Sequence, residues 1–309
     1  MKSVEIYAPA SIGNMGSGFD VFGMAIDGAG DRLIVERAPA GTLVITRLTG
    51  DPDLPLDPHK NIVTRVGAAV LEAADSRIGL RFEVHKETVA GSGLGSSAAS
   101  ACAAAVGVNE LLGRPFDNLQ LLELAGVGEQ MASGSLHYDN LAPALLGGFC
   151  IIRSAQPLEV LTLAPPDKLW LVIIRPGVVI KTSAAKKILP DQLALPTAIR
   201  QFGNIAGVVV AMQQQDIALL GRAIEDYVAT PARSPLIPHF EKARQAALAA
   251  GALGFAIAGS GPAMFAVCDN PVSSRQVLAA LQKVYNHDTR GKAWITRPDN
   301  TGTRILSKA

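Results

Sequence analysis

The 309-residue sequence predicts an α+β chain of two domains, with helices packed on antiparallel strands. Three observations predict it. The length suits two domains of ordinary size. Alternating apolar segments recur between helix-periodic ones from end to end. A Pro165-Pro166 pair parts two strand-like segments, Gly148 to Arg153 and Leu169 to Arg175, which places a boundary near residue 160 and gives domains 1–160 and 161–309.

Val4 to Ala8 reads as a strand, and the small and polar residues from Ala8 to Asp20 read as a wide loop able to face a ligand. Asn14 and Asp20 offer an amide and a carboxylate suited to an amino or hydroxyl group; the alternative is a turn in which both bond their own backbone. Leu33 to Arg37 and Leu43 to Leu48 alternate as strands, and Asp51 to Lys60, with three prolines, is a loop. Asn61 is an N-cap candidate for a helix carrying Val63, Val66, Val70 and Leu71 on one face. Leu80 to His85 is a strand leading into the glycines that follow, and His85 reads as a packing residue.

The stretch from Ala90 to Ser100 is the richest in chemistry. Gly91, Gly93 and Gly95 alternate with Ser92 and Leu94, and Ser96, Ser97, Ala98 and Ala99 open an Ala-rich run to about Leu112. Glycines let backbone N–H groups approach a ligand, and a serine pair at a helix start marks an end that attracts anions. Together they form a phosphate cradle feeding a helix. Without Gly-Lys-Ser/Thr this is not a Walker loop, and the spacing is not that of a dinucleotide fingerprint.

Beyond it, Asn118 to Met131 is helix-periodic and carries Glu129, followed closely by His137, Asp139 and Asn140. A carboxylate near bound phosphates suits Mg²⁺, which takes hard oxygen ligands. A zinc site lacks a third ligand at suitable spacing, and a serine hydrolase lacks its Gly-x-Ser-x-Gly elbow. Arg200 to Gln214 and Ile217 to Val228 read as helices, and Thr230 to Pro238 as a proline-pinned crossing that holds Arg233. A further helix, Phe240 to Ala250, precedes two apolar strands around Gly259-Ser260-Gly261-Pro262. A helix from Ser273 to Tyr285 and a strand from Ala293 to Arg297 follow.

The string GSGLGSSAAS resembles the phosphate loop of the GHMP kinases, although Val89 stands where that family usually has a proline. The Ala8–Asp20 loop resembles the family's first motif and the turn at 259–262 its third. In detail the match is to the homoserine kinase branch, through His137-x-Asp139-Asn140, Thr182, Leu189-Pro190 and Arg233. The resemblance implies a two-domain GHMP kinase fold, with a first domain like domain 2 of ribosomal protein S5 and a ferredoxin-like second domain. It implies ATP-dependent phosphorylation of the L-homoserine hydroxyl in threonine biosynthesis. ATP would then lie on Asn61, Val63 and residues Ala90 to Ala99, and Mg²⁺ on Ser97 and Glu129. Asn14, Asp20, His137, Asp139, Thr182, Lys186 and Arg233 would hold the amino acid. Lys186 stands where the family has an arginine; it keeps the charge but not the bidentate fork. No residue stands out as a dedicated base, so Asn14, Ser97 and Glu129 are expected to act by positioning. The rival readings are a GHMP kinase for a sugar or isoprenoid alcohol, which has no need of the amino-group ligands, and a non-catalytic sensor, which has no need of intact loop glycines and Glu129.

The formal charge of +1 and the lack of long charge runs argue against nucleic acid or membrane partners. Cys102, Cys150 and Cys268 sit in apolar segments with no metal or disulfide pattern, and the N-terminus has no signal-peptide core, so a cytoplasmic protein is expected. The resemblance adds a homodimer.

Overall fold

The computed structural model describes residues 1–133, 136–180 and 182–309, with the side chains of all of these but residues 131–133 and 182. Strand β1 (Ser3–Gly13) pairs antiparallel with β2 (Phe22–Ala38) along its whole length. From Ala8 onward every β1 residue is buried, because the strand passes from the first sheet's helical side into the space between the two sheets. It therefore runs five residues past the expected strand, and the loop bearing Asp20 starts only at Asn14. Strand β3 (Leu43–Thr49), helix α1 (Ile62–Ala73) and β4 (Gly79–Lys86) form a parallel crossover.

Helix α2 (Ser96–Leu111) runs through the middle of the first helical layer, and in it only Ser97 and Val106 are not buried. Its alanines allow this, since small side chains let neighbouring elements approach from all sides. Helices α3 (Asn118–Ser133) and α4 (Tyr138–Leu146) pack beside it. Helix α4 was not expected from the sequence; Pro143 sits inside it, and its Leu141, Ala142 and Ala144 are held in the core. Strands β5 (Phe149–Ala155) and β6 (Leu158–Leu163) make a hairpin against β2, and the expected division at 160/161 falls within β6.

The second layer starts at β7 (Trp170–Arg175). Five helices follow: α5 (Thr182–Lys187), α6 (Leu195–Gln214), α7 (Ile217–Ala223), α8 (Ala229–Arg233) and, after a 3-10 turn at Ser234–Leu236, α9 (Phe240–Ala249). Helix α7 stops five residues before the expected end, where Asp226 takes the backbone N–H groups of Val228, Ala229 and Thr230 and starts α8. The expected proline-pinned crossing thus contains a short helix. Strands β8 (Gly254–Ile257) and β9 (Met264–Cys268), helix α10 (Pro271–Val284) and β10 (Lys292–Thr296) complete the layer. A last strand, β11 (Arg304–Lys308), returns to pair with β1.

Among the described residues the sheets are one of seven strands, β11-β1-β2-β4-β3 with β5 and β6 branching from β2, and one of four, β10-β7-β9-β8. The second is antiparallel throughout. Its order follows the β-α-β-β-α-β pattern of ferredoxin-like folds, as expected. Strand β7 shows how its faces are used: Leu171 and Ile173 join the core between the sheets, while Val172 and Ile174 join the core under α9 and α10. No helix among the described residues is long and apolar enough to cross a membrane.

Candidate active site

Three turns converge where the layers meet. Backbone bonds stitch them together: Ser11 N–H to Leu94 O at 3.2 Å, Gly259 N–H to Gly13 O at 3.0 Å, and Ala263 N–H to Ser92 O at 3.0 Å. Gly93 has φ +83°, and a Cβ on it would lie 2.6 Å from Ala258 O, so the close approach of these turns requires glycine. Asn14 joins the same junction, its Nδ2 donating to Gly259 O and its Oδ1 accepting from Asp20 N–H, each at 3.0 Å. The turns border a cavity of about 740 Å³.

At one end of the cavity lies the start of α2. The helix begins at Ser96 as expected; Gly95, in the left-handed region, occupies the cap position and so offers no side-chain cap to the first N–H groups. Ser96 Oγ donates to Thr88 O at 2.9 Å, and Ser97 Oγ to Glu129 Oε2 at 2.7 Å. The uncapped first turn keeps its N–H groups and positive dipole end for an anion. Ala90 to Gly93 and Gly95 to Ser97 line the cavity; the side chains of Leu94, Ala98 and Ala99 do not, being packed in the cores. Ser97 and Glu129 present hard oxygens of the kind a divalent cation takes.

Beneath the loop is an ion pair that the sequence reading missed. Lys86 Nζ bonds Asp31 Oδ2, Ser96 O at 2.9 Å and Ser100 Oγ at 2.8 Å, and Thr88 Oγ1 donates to Asp31 Oδ1 at 2.7 Å. Both charged side chains are 2% exposed. The signal was present in the register, where Asp31 stands opposite Lys86 on adjacent strands. Asp51 was also missed; its Oδ2 accepts from Ala90 N–H at 3.1 Å and ties the proline-rich loop to the glycines. Asn61 caps α1 as expected, with Oδ1 accepting from Val63 N–H at 2.9 Å, while its Nδ2 donates to Pro55 O at 2.8 Å. Asn61 and Val63 both border the cavity.

The far end gathers charge of both signs. Asp139, in the first turn of α4, is 3% exposed, and Gly13 makes room for it: a Cβ there would lie 2.4 Å from Asp139 Oδ2. Its Oδ1 is buried without a hydrogen-bond partner among the described residues. Burial first, and Asp20 second, push its carboxyl up to about 7. His137 Nδ1 lies 3.4 Å from Asp20 Oδ1, and that contact raises the imidazole above its ordinary value. Facing these acids are Lys186, exposed, and Arg233, 5% exposed. Arg233 Nε donates to Ala185 O at 3.2 Å and Nη1 to Gly259 O at 3.0 Å, with the guanidinium 5.3 Å over the Phe19 ring. Asp20, His137 and Asp139 bring ligand atoms within 4.8 Å of one another, a spacing that suits a small cation as well as a metal. The side chain of Thr182 lies outside the described residues. Acids beside bases in one pocket complement a zwitterion.

Known proteins resemble the chain along nearly its whole length. Residues 61–148 match the family model of the GHMP kinases N terminal domain, and residues 208–287 that of the GHMP kinases C terminal. The chain is 41% identical over 321 residues to a homoserine kinase of Chlorobaculum tepidum, covering 99% of each. It is 42% identical over 320 residues to a homoserine kinase of Chlorobium phaeovibrioides, covering 99% of the chain and 100% of that protein. Among solved structures it is similar to a homoserine kinase from Cytophaga hutchinsonii, with TM-score 0.94, 39% identity, and coverage of 99% and 98% of the two chains.

Proposed function

The chain belongs to the GHMP kinase family, and from that membership we propose that it transfers the γ-phosphoryl group of ATP to the hydroxyl of L-homoserine, making O-phospho-L-homoserine for threonine biosynthesis. The observation that carries the reading is the pairing of two acids, Asp20 and Asp139, with two bases, Lys186 and Arg233, in the cavity that also holds the glycine loop.

In this reading the loop N–H groups of residues 90–97 and the uncapped start of α2 hold the phosphates. Asn61 and Val63 border the base, and the unit 1–160 carries the nucleotide. Ser97 and Glu129 fit Mg²⁺, which when bound supplies charge neutralisation of the phosphate oxygens. The substrate ammonium rests on Asp20 and Asp139 beside His137, and its carboxylate on Arg233 with Lys186 and Thr182, so the unit 161–309 supplies the carboxylate grip. Held at both ends, the amino acid presents its hydroxyl to the phosphates. Its oxygen attacks the γ-phosphorus, the bond to the β,γ-bridging oxygen breaks, and the hydroxyl proton leaves with the transferred group. Asn14 holds the first loop against the third turn and so keeps the acceptor in place. Positioning and charge neutralisation carry the rate, with no dedicated base. We place the enzyme in the cytoplasm as a homodimer.

The test is ATP consumption by purified protein with Mg²⁺, offered L-homoserine, mevalonate and galactose in parallel. Turnover with L-homoserine alone is expected. Turnover with another alcohol would overturn the acceptor residues while leaving the phosphate end intact, and ATP binding without any turnover would favour a sensor.

A further inference from the structure

The loop that carries Asp20 has a backbone that needs outside support. Asn14, Met15 and Gly16 have φ of +66°, +44° and +75°, three consecutive residues in the left-handed region. Asparagine and glycine tolerate that region and methionine does not, so the run persists only where neighbours hold it. Its neighbours belong to the second layer. Ser17 Oγ donates to Ala223 O at 2.7 Å, and a Cβ on Gly16 would lie 2.0 Å from Ile224 O. Gln201 Nε2, from α6, donates to Ser17 O at 2.6 Å.

The same amide holds the other side of the site. Gln201 Nε2 also donates to Asp226 Oδ1 at 2.9 Å, and Gln201 Oε1 accepts from Tyr227 N–H at 2.9 Å. Asp226 in turn accepts from the N–H groups of Val228, Ala229 and Thr230 around the start of α8, whose last residue is Arg233. Gln201 is 4% exposed and Asp226 8%, so water cannot readily replace these bonds. Arg233 Nη1 and Asn14 Nδ2 both donate to Gly259 O at 3.0 Å, which closes a circuit. From Gly259 it runs through Asn14 and Ser17 to Gln201, then through Asp226 and α8 to Arg233. Asp20, whose N–H is held by Asn14 Oδ1, stands on one arm and Arg233 on the other. The turn that contains Gly259 is itself bonded to the glycine loop, through Ala263 N–H to Ser92 O.

We infer that Gln201 and Asp226 are positioning residues that fix Asp20 and Arg233 relative to each other, and through them the reach of the bound amino acid toward the phosphates. The inference rests on the proposed function, in which those two groups hold the ammonium and the carboxylate, and it names what sets the length of the acceptor. Ammonium and carboxylate sit on one carbon in every α-amino acid. The grip alone therefore does not tell L-homoserine from a shorter or longer hydroxy amino acid. Discrimination needs that carbon held at one distance from the phosphate cradle, which is what a closed circuit anchored to the glycine loop provides. Neither Gln201 nor Asp226 borders the cavity, so each acts only through the first loop and α8. A misplacement of about 1 Å transmitted in this way is enough to cost roughly 100-fold in rate.

The experiment compares Gln201→Leu and Asp226→Asn with the wild type, each checked by circular dichroism. Steady-state kinetics use L-homoserine, L-serine, which is one methylene shorter, and the hydroxy amino acid one methylene longer. Both variants are expected to lower kcat/KM for L-homoserine about 10- to 100-fold while KM for ATP stays within about twofold. The preference for L-homoserine over the other two, as a ratio of kcat/KM values, should fall about tenfold. Asp226→Asn keeps the shape of the side chain and one acceptor oxygen, so it reads the effect even if Gln201→Leu folds poorly. Hydrogen exchange of the unliganded proteins needs no turnover: residues 14–20 and 229–233 should exchange faster together in each variant, with residues 90–97 unchanged. A parallel rise in KM for ATP, or an unchanged preference among the three amino acids, would reduce both residues to a role in stability and overturn the inference. Faster exchange in only one of the two segments would overturn it as well. A wild type that does not turn over L-homoserine would count against the proposed reaction, and the exchange data would still decide whether the two arms are coupled.

Discussion

The Ser97 hydroxyl donates to Glu129 Oε2 at 2.7 Å, linking the start of α2 to α3 at the cavity wall. Each residue has a neighbour that fixes it: Ser97 stands in a helix that is otherwise almost wholly buried, and Glu129 is 7% exposed. Replacing either should leave the fold unchanged and strike the metal-dependent step. Glu129→Gln is expected to lower kcat by roughly 100-fold or more and to raise the Mg²⁺ concentration needed for half-maximal rate, by analogy with losses of metal-orienting groups. Ser97→Ala should do the same to a smaller degree. Mg²⁺ titrations of turnover check both; an unchanged Mg²⁺ dependence would remove these residues from the metal site.

The Lys86–Asp31 pair makes a prediction about stability. Because both side chains are 2% exposed, removing one strands the other's charge in the interior. Lys86→Met should therefore cost about 3–5 kcal/mol, while the double variant Lys86→Met/Asp31→Leu should recover much of that loss. Urea denaturation of the three proteins measures the difference. Lys86 also bonds Ser96 O, so the single variant should loosen the glycine loop and raise KM for ATP.

Much of the site was legible in the sequence because its chemistry is local in the chain. The glycine loop, the Asn61 cap and the 137–140 cluster each declare themselves within a dozen residues, and Gly259 to Pro262 reads as a hairpin turn whatever surrounds it. What escaped was set by distant partners. Asp31 and Lys86 are far apart in the chain and look like ordinary strand charges until their register is known. Strand β1 runs on past Ala8 because β2 pairs with it through Gly13, and β11 exists only because β1 offers an edge. Ser96 and Ser97 mark the helix start by composition, but their hydroxyl partners, Thr88 and Glu129, are set by the fold. Helix α4 was hidden by its internal proline.

Asp139 gives the protein a pH dependence of definite sign. Its carboxyl sits at about 7 in the folded chain, mainly through burial, against about 3.9 for an exposed aspartate. Between those values the folded state keeps a proton that the unfolded chain has released. The stabilisation is thus complete below about pH 4 and is lost as the pH climbs through 7. His137, raised by Asp20, acts in the same direction at the upper end of that range. Glu110 and Asp288 are held low and act in the acid range instead. Between pH 5 and 8 the unliganded protein should lose thermal stability, and Asp139→Asn should flatten the slope. Saturating L-homoserine should oppose the loss, since an ammonium favours the ionised carboxylate. Calorimetry at a series of pH values, with and without the amino acid, checks each part; a slope unchanged in Asp139→Asn would assign the effect elsewhere.

Arg233 and Lys186 should divide the carboxylate grip unequally. Arg233 is buried, and two of its five donors are committed, to Ala185 O and Gly259 O, which fixes the guanidinium plane and leaves the others for a ligand. Lys186 is exposed, and its single ammonium holds no fixed direction. Arg233→Ala is expected to raise KM for L-homoserine roughly 100-fold, ~3 kcal/mol, with a much smaller effect on kcat. Lys186→Ala should raise it by only about tenfold, because solvent screens an exposed pair. Lys186→Arg should lower KM below that of the wild type by restoring a bidentate fork. Steady-state kinetics at saturating ATP separates the terms. A collapse of kcat at constant KM in Arg233→Ala would move that arginine from the amino acid to the transferring phosphate, and the zwitterion reading of the cavity would then have to be abandoned.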